Sequence, residues 1–132
     1  MLTGGCHCGA VRYEVEGEPV YHAICHCQDC RASSGAPMVS WYAVKEEQFA
    51  LKSGEPATFE GTPCAQRSFC PRCGTGLFYR NAEKLPGLVD IQSATFDDAG
   101  EQAPAVQVQC ADRLVWMTSL AEMPEFERFP GG

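Results

Sequence analysis

Cys70-Pro71-Arg72-Cys73-Gly74 is the segment on which the fold turns, and Cys6-His7-Cys8-Gly9 answers it near the start of the chain. A C-x-x-C turn curls the backbone so that two sulfurs converge on one ion, at about 2.3 Å from it when the ion is zinc. The glycine that follows each pair eases the tight backbone there. A C-x-C pair converges by another route, because residues i and i+2 of an extended segment point the same way. Cys6, Cys8, Cys70 and Cys73 thus form two pairs, distant in sequence, that together close one tetrahedral site. Metal ligation outweighs disulfide pairing as the reading of this set. It is a structural site, tying the N-terminal segment to the middle of the chain.

Cys25-His26-Cys27-Gln28-Asp29-Cys30 adds three more sulfurs and has no second pair to complete four. Three protein ligands with one open position are how a catalytic zinc is held. Thiolates suit zinc, but they also suit an iron–sulfur cluster. A redox pair is the other alternative, although the βαβ setting of a thioredoxin-like C-x-x-C is missing. Cys64 and Cys110 lie outside these groups and read as small buried apolar residues. His7 and His26 sit between ligands with their side chains directed away from the metal, orienting the loop or facing solvent, while His22 reads as a strand residue.

The chain has 132 residues, 45% of them hydrophobic, and ten Lys+Arg against 17 Asp+Glu give a net charge of −7. That length fits one domain over residues 1–132. The acidic balance lacks the basic footprint of a nucleic-acid binder, so no nucleic-acid partner is expected. No apolar run approaches the roughly 20 residues that span a bilayer. Met1-Leu2-Thr3-Gly4-Gly5-Cys6 has neither the cationic nor the apolar stretch of a signal peptide. The expectation is a soluble, cytoplasmic protein with no membrane partner. In a reducing compartment nine cysteines, an odd number, point to metal ligands or reactive thiols rather than to disulfides.

Thirteen Gly and nine Pro spread along the chain favour many short elements. Val11–Glu16 alternates apolar and charged residues as a half-buried strand does, and Gly17-Glu18-Pro19 reads as a turn. Further strands are predicted over 38–44, 58–60, 66–69, 77–80, 88–93 and 105–110. Helix is predicted only for 27–34, closed by Gly35, and for a short piece at 118–122, stopped by Pro124. Short strands at close spacing make the chain mostly β and antiparallel.

Three ordered motifs then resemble the glutathione-dependent formaldehyde-activating enzyme family: Gly5-Cys6-His7-Cys8-Gly9-Ala10-Val11-Arg12-Tyr13, Cys25-His26-Cys27-Gln28-Asp29-Cys30-Arg31 with Ser34-Gly35-Ala36-Pro37, and Arg67-Ser68-Phe69-Cys70-Pro71-Arg72-Cys73-Gly74-Thr75. The resemblance spans about residues 4–126. It implies an Mss4-like β-tent of short antiparallel sheets, a structural zinc on Cys6, Cys8, Cys70 and Cys73, and a second, catalytic zinc on Cys25, Cys27 and Cys30. It also implies a carbon–sulfur lyase-type activity that joins a glutathione-like thiol to an aldehyde such as formaldehyde. Arg31 and Arg67 are the motif arginines that could clamp the carboxylates of such a substrate. Gln28 and Asp29 would tune the second zinc from just outside its ligands. One departure stands out: where the family often has His-Ile-Trp, nine residues before the position of Trp116, this chain has Gln107-Val108-Gln109.

A non-catalytic zinc module that presents its sheet to a protein partner is the competing class, and a redox or metal-handling protein is a third. The incomplete three-cysteine group separates them, because a purely structural module has no need of it.

Overall fold

The computed structural model describes residues 1–131, which form two sheets of short strands. Strands β1 (Leu2–Gly5), β2 (Arg12–Val15) and β5 (Phe49–Ser53) make a small antiparallel sheet in the order β1-β2-β5. The larger sheet contains β3 (Tyr21–Cys25), β4 (Val39–Lys45), β6 (Ala57–Glu60), β7 (Ala65–Phe69), β8 (Gly76–Asn81), β9 (Leu88–Gln92) and β10 (Val106–Val108). Its order is β10-β3-β4-β9-β8-β7-β6. Every pairing is antiparallel except β10 on β3, which is parallel. The mostly-β architecture expected from the spacing of short strands is what the chain adopts.

The two faces of the larger sheet have different tasks. Tyr42 and Val44 on β4, Val89 and Ile91 on β9 and Phe78 on β8 pack against Val11, Tyr13 and Val15 beneath the small sheet. Aromatic rings meet edge to face there, Tyr13 with Phe78 at 5.4 Å and Tyr42 with Phe96 at 5.0 Å, an arrangement favoured by the ring quadrupole. The Tyr13 hydroxyl bonds Thr95 Oγ1 at 2.7 Å, directly over Gly4, where a Cβ would lie 2.4 Å from the phenol oxygen. The opposite face carries Trp41, Tyr21 and Tyr79 with Cys25, Cys30 and Val39. Because β4 is covered on both faces, its sequence shows an almost continuous buried run rather than a clean alternation.

Helix α1 (Gln28–Ser34) follows the sequence signals closely. Cys27 caps its N-terminus, with its sulfur accepting from the Cys30 N–H, and Gly35 closes it at φ 72°. Three expectations are corrected. The strand expected over 105–110 stops at Val108, because Gln109 turns left-handed at φ 55° and Cys110–Asp112 form a 3-10 turn. The 118–122 helix is part of a kinked 3-10 stretch, Val115–Glu122, with no buried residue to pack an α-helical stripe. Cys64 and Cys110 are exposed, not buried, since both fall in connections rather than on a strand face.

Candidate metal centres

The first cysteine group is assembled by two backbone knuckles. Gly9 N–H donates to Cys6 C=O, and the Val11 N–H donates to Cys6 Sγ at 3.2 Å. In the second knuckle Gly74 N–H donates to Cys70 C=O and Cys70 N–H to Thr75 C=O. Gly9 and Gly74 take φ of 81° and 82°, a backbone that glycine adopts without strain. Thr75 Oγ1 joins the two, accepting from His7 N–H at 3.1 Å and lying 3.2 Å from Cys73 Sγ. All four sulfurs lie within 4.8 Å of one another. The Cys6–Cys8 and Cys8–Cys70 separations are 3.6 and 3.8 Å. A tetrahedron of 2.3 Å zinc–sulfur bonds has edges of about 3.8 Å, so these sulfurs fit a metal ion and lie far outside the roughly 2.05 Å of a disulfide.

The second group sits where β3 runs out into α1. Cys25 and Cys30 are buried, their sulfurs 3.7 Å apart, and Cys27 is half-buried; the three are within 4.8 Å of one another. His26 between them is buried and points to the opposite side, bonding Gln107 Oε1 through Nε2 at 2.8 Å. His7 is exposed, and His22 lies on β3 with its Nε2 2.8 Å from Ser93 Oγ. None of the three histidines joins either sulfur group, and His22 lies on a strand as expected.

Proton affinities in the two groups reflect shared thiol protons. Burial works against ionising Cys6, yet the Val11 N–H and the neighbouring sulfurs bring its thiol below the ordinary value. The Thr75 hydroxyl draws Cys73 down to about 5. Cys8 has the Ala10 N–H favouring its thiolate, but desolvation and its three sulfur neighbours push it up to about 11. At the second group burial dominates, pushing Cys25 up to about 12 and raising Cys30 as well. Sulfurs so close cannot all ionise alone, whereas a dication among them stabilises the thiolates together. Both donor sets therefore fit a metal ion, and thiolate-only ligation fits zinc.

What separates the groups is the space beside them. A cavity of about 650 Å³ is lined by Cys25, Cys27 and Cys30 together with Trp41, Arg67 and Asp90; none of Cys6, Cys8, Cys70 and Cys73 borders it. Gln28 and Asp29 line it too, and the Gln28 N–H donates to Asp112 Oδ2 at 3.2 Å. Of the two motif arginines, Arg67 lies in the cavity wall, its guanidinium 4.8 Å from the centre of the Tyr79 ring. Arg31 lies in a neighbouring hollow with Trp116 and donates to the Asp112 carbonyl at 3.4 Å. Arg12 is held by Asp97, whose carboxyl it brings down to about 2. Of the two departures from the family pattern, Gln107 holds His26 and Gln109 lines the cavity.

Sequence reading missed Tyr21, Tyr79, Lys84 and Asp90, which also line the cavity. Asp90 had a signal: it is the lone charge in Leu88-Val89-Asp90-Ile91-Gln92. It is 4% exposed, and burial pushes its carboxyl up to about 6 against the opposing pull of the Tyr21 hydroxyl.

Known proteins resemble this chain to different depths. The model of the family described as "Glutathione-dependent formaldehyde-activating enzyme" matches residues 1–112. A Halomonas elongata protein whose name reads "Putative glutathione-dependent formaldehyde-activating enzyme" is 32% identical over 129 residues, covering 89% of this chain and 80% of that one. A crystal structure of a Rhodobacter sphaeroides protein superposes with a TM-score of 0.64 at 23% identity, covering 80% of this chain and 99% of the other. The last likeness concerns the fold alone.

Proposed function

This chain belongs to the glutathione-dependent formaldehyde-activating enzyme family, and from that premise we propose that it is a zinc-dependent enzyme of the carbon–sulfur lyase type, adding a glutathione-like thiol to an aldehyde such as formaldehyde. The observation that carries this reading is the three-cysteine group on the wall of the large cavity. A module that only presented a surface to a partner would have no use for an incomplete ligand set beside such a space.

In the reaction a carbon–sulfur bond forms, the carbonyl π pair moves to oxygen, and the thiol proton ends on that oxygen. Cys25, Cys27 and Cys30 would hold one zinc, and Cys6, Cys8, Cys70 and Cys73 another. When bound at three cysteines, zinc favours the thiolate form of an incoming thiol, which is the nucleophile the addition needs. The chain's own residues do the rest. Cys27 is fixed as the cap of α1, so the spacing of the three sulfurs is set by backbone geometry. Val106 and Val108 make part of the cavity wall apolar. Arg67, without a carboxylate partner among the described residues, is placed to bind an anionic group of the thiol. Arg31 holds the 110–112 turn beside α1 and supports the site from outside.

Nine cysteines suit a reducing compartment, in keeping with a cytoplasmic enzyme of small molecules rather than of nucleic acid. No helix among the described residues is long and apolar enough to cross a membrane. Metal analysis of the purified protein, paired with calorimetric titration of glutathione, is the direct test. Two zinc ions per chain and a glutathione affinity that disappears with Cys27→Ser are expected. One zinc per chain, or unchanged affinity in that variant, would overturn the reading.

A further inference from the structure

One row of residues crosses five strands of the larger sheet in register. Arg67 on β7 pairs with Tyr79 on β8, Tyr79 with Asp90 on β9, Asp90 with Ala43 on β4, and Ala43 with Tyr21 on β3. Directly paired residues point to the same face, here the face of the cavity, which Arg67, Tyr79, Asp90 and Tyr21 all line. Ala43 is the small member, and over it the Tyr21 hydroxyl reaches across to donate to Asp90 Oδ2 at 2.7 Å. The other oxygen, Oδ1, is buried with no hydrogen-bond partner among the described residues.

A buried carboxylate left with an unmatched oxygen is a costly feature. The residues around it do not resolve the cost. Tyr21 serves Oδ2 alone, and Arg67, whose backbone is two strands away, lays its guanidinium over the Tyr79 ring and makes no ion pair with Asp90. A cationic donor brought by a ligand would resolve it. Position along the strands says which end of the ligand. Tyr21 and Cys25 are four residues apart on β3, about 13 Å between Cα atoms, and Asp90 lies in the Tyr21 row. That distance rules out direct proton exchange between Asp90 and a sulfur held at the three cysteines. It suits the far end of a peptide-sized thiol, since three extended residues span about 10 Å and the side chains at both ends project into the cavity.

We propose that the Arg67–Tyr79–Asp90–Tyr21 row receives an α-amino-acid head on the substrate thiol, with Asp90 Oδ1 accepting a hydrogen bond from its ammonium group and Arg67 pairing with its carboxylate. This rests on reading the cavity as a thiol site, and it narrows the substrate class to thiols that carry a free ammonium at peptide distance from sulfur. Lys84, on the same wall, adds positive charge for the carboxylate.

Calorimetry with glutathione, N-acetylglutathione and S-methylglutathione on the metal-loaded wild-type protein, Asp90→Asn, Asp90→Glu and Cys27→Ser tests the proposal. Blocking the ammonium should weaken wild-type binding about tenfold or more. Asp90→Asn, whose amide oxygen can still accept from Tyr21, should weaken glutathione by a similar factor and leave the acetylated ligand unchanged. Asp90→Glu keeps the charge and should keep some preference for the free ammonium, which covers the case in which the Asn variant folds poorly. Equal glutathione affinity in wild type and Asp90→Asn would overturn the proposal. So would a parallel loss of both ligands, which would make Asp90 a structural residue. Asp90-dependent binding of S-methylglutathione, with glutathione unaffected by Cys27→Ser, would support the amino-acid site while overturning the metal–thiol reading. No binding of any ligand to the wild type would overturn both.

Discussion

The two cysteine groups use the same ligand chemistry in opposite surroundings. Cys6, Cys8, Cys70 and Cys73 come from two glycine-closed knuckles cross-linked by Thr75, and they border no large cavity. Cys25, Cys27 and Cys30 come from one strand end and the helix after it, and they open onto about 650 Å³ of space beside Asp90 and Arg67. Four sulfurs from distant segments saturate an ion and so convert binding into folding free energy. Three sulfurs from one local turn leave the ion a coordination position and hold little of the chain together. Sequence separation and surroundings, rather than residue type, distinguish the two groups.

The comparison breaks most visibly at Cys73. A closed thiolate site contributes on the order of 10 kcal/mol to folding, so Cys73→Ser should yield insoluble or poorly folded protein. If its melting curve and metal content matched the parent, the structural role of this group would be lost. Cys27→Ser should behave differently: serine is a good N-cap, so α1 persists, melting shifts by only a few degrees, and one equivalent of metal and the glutathione affinity disappear. Retention of two metals by that variant would erase the distinction between the groups.

Asp90 sharpens the contrast on the cavity side. Its folded carboxyl is raised to about 6 from 3.8, so the folded state holds its proton more tightly than the unfolded chain. Stability linked to that proton is present at low pH and lost as pH rises through 6. Asp90→Asn should therefore stabilise the ligand-free protein at pH 8 by on the order of 2–3 kcal/mol, and the gain should fade as pH falls from 6 towards 4. Chemical denaturation at both pH values measures it, and a gain that does not change with pH would rule out a buried charge. The smallest effect is expected at Arg67. Arg67→Ala should weaken glutathione about tenfold, the loss of one charge-assisted pair, with the melting temperature unchanged. Arg67→Lys should restore part of it, since an ammonium lacks the paired fork; equal affinities in all three proteins would make Arg67 an ordinary surface charge.

How much of this was legible in the sequence depended on distance along the chain. The cysteine groups, α1 with its Cys27 and Gly35 caps, and the alternating β2 were readable because their signals are local. Strand β3 was marked only at His22, because Tyr21-His22-Ala23-Ile24-Cys25 is covered on both faces and does not alternate. Strand β1 is half glycine, and β5 exposes most of its residues, so neither carried a pattern. The cavity wall was the least legible part. Asp90 and Tyr21 are 69 residues apart, and only the register of three strands brings them into one row.

Trp41 packs on Cys25 and Cys30, whereas the chain's other tryptophan, Trp116, is 48% exposed beside a separate hollow. Indole emission is quenched by electron transfer to nearby sulfur and shifts with the polarity around the ring. The protein thus carries an optical probe at the three-cysteine group. In Trp116→Phe, Trp41 alone would report loading and stripping of that group, against which it packs, as a change in fluorescence intensity. Stopped-flow mixing with a chelator could then follow the release of one ion in real time without a label, an attached dye or a coupled assay.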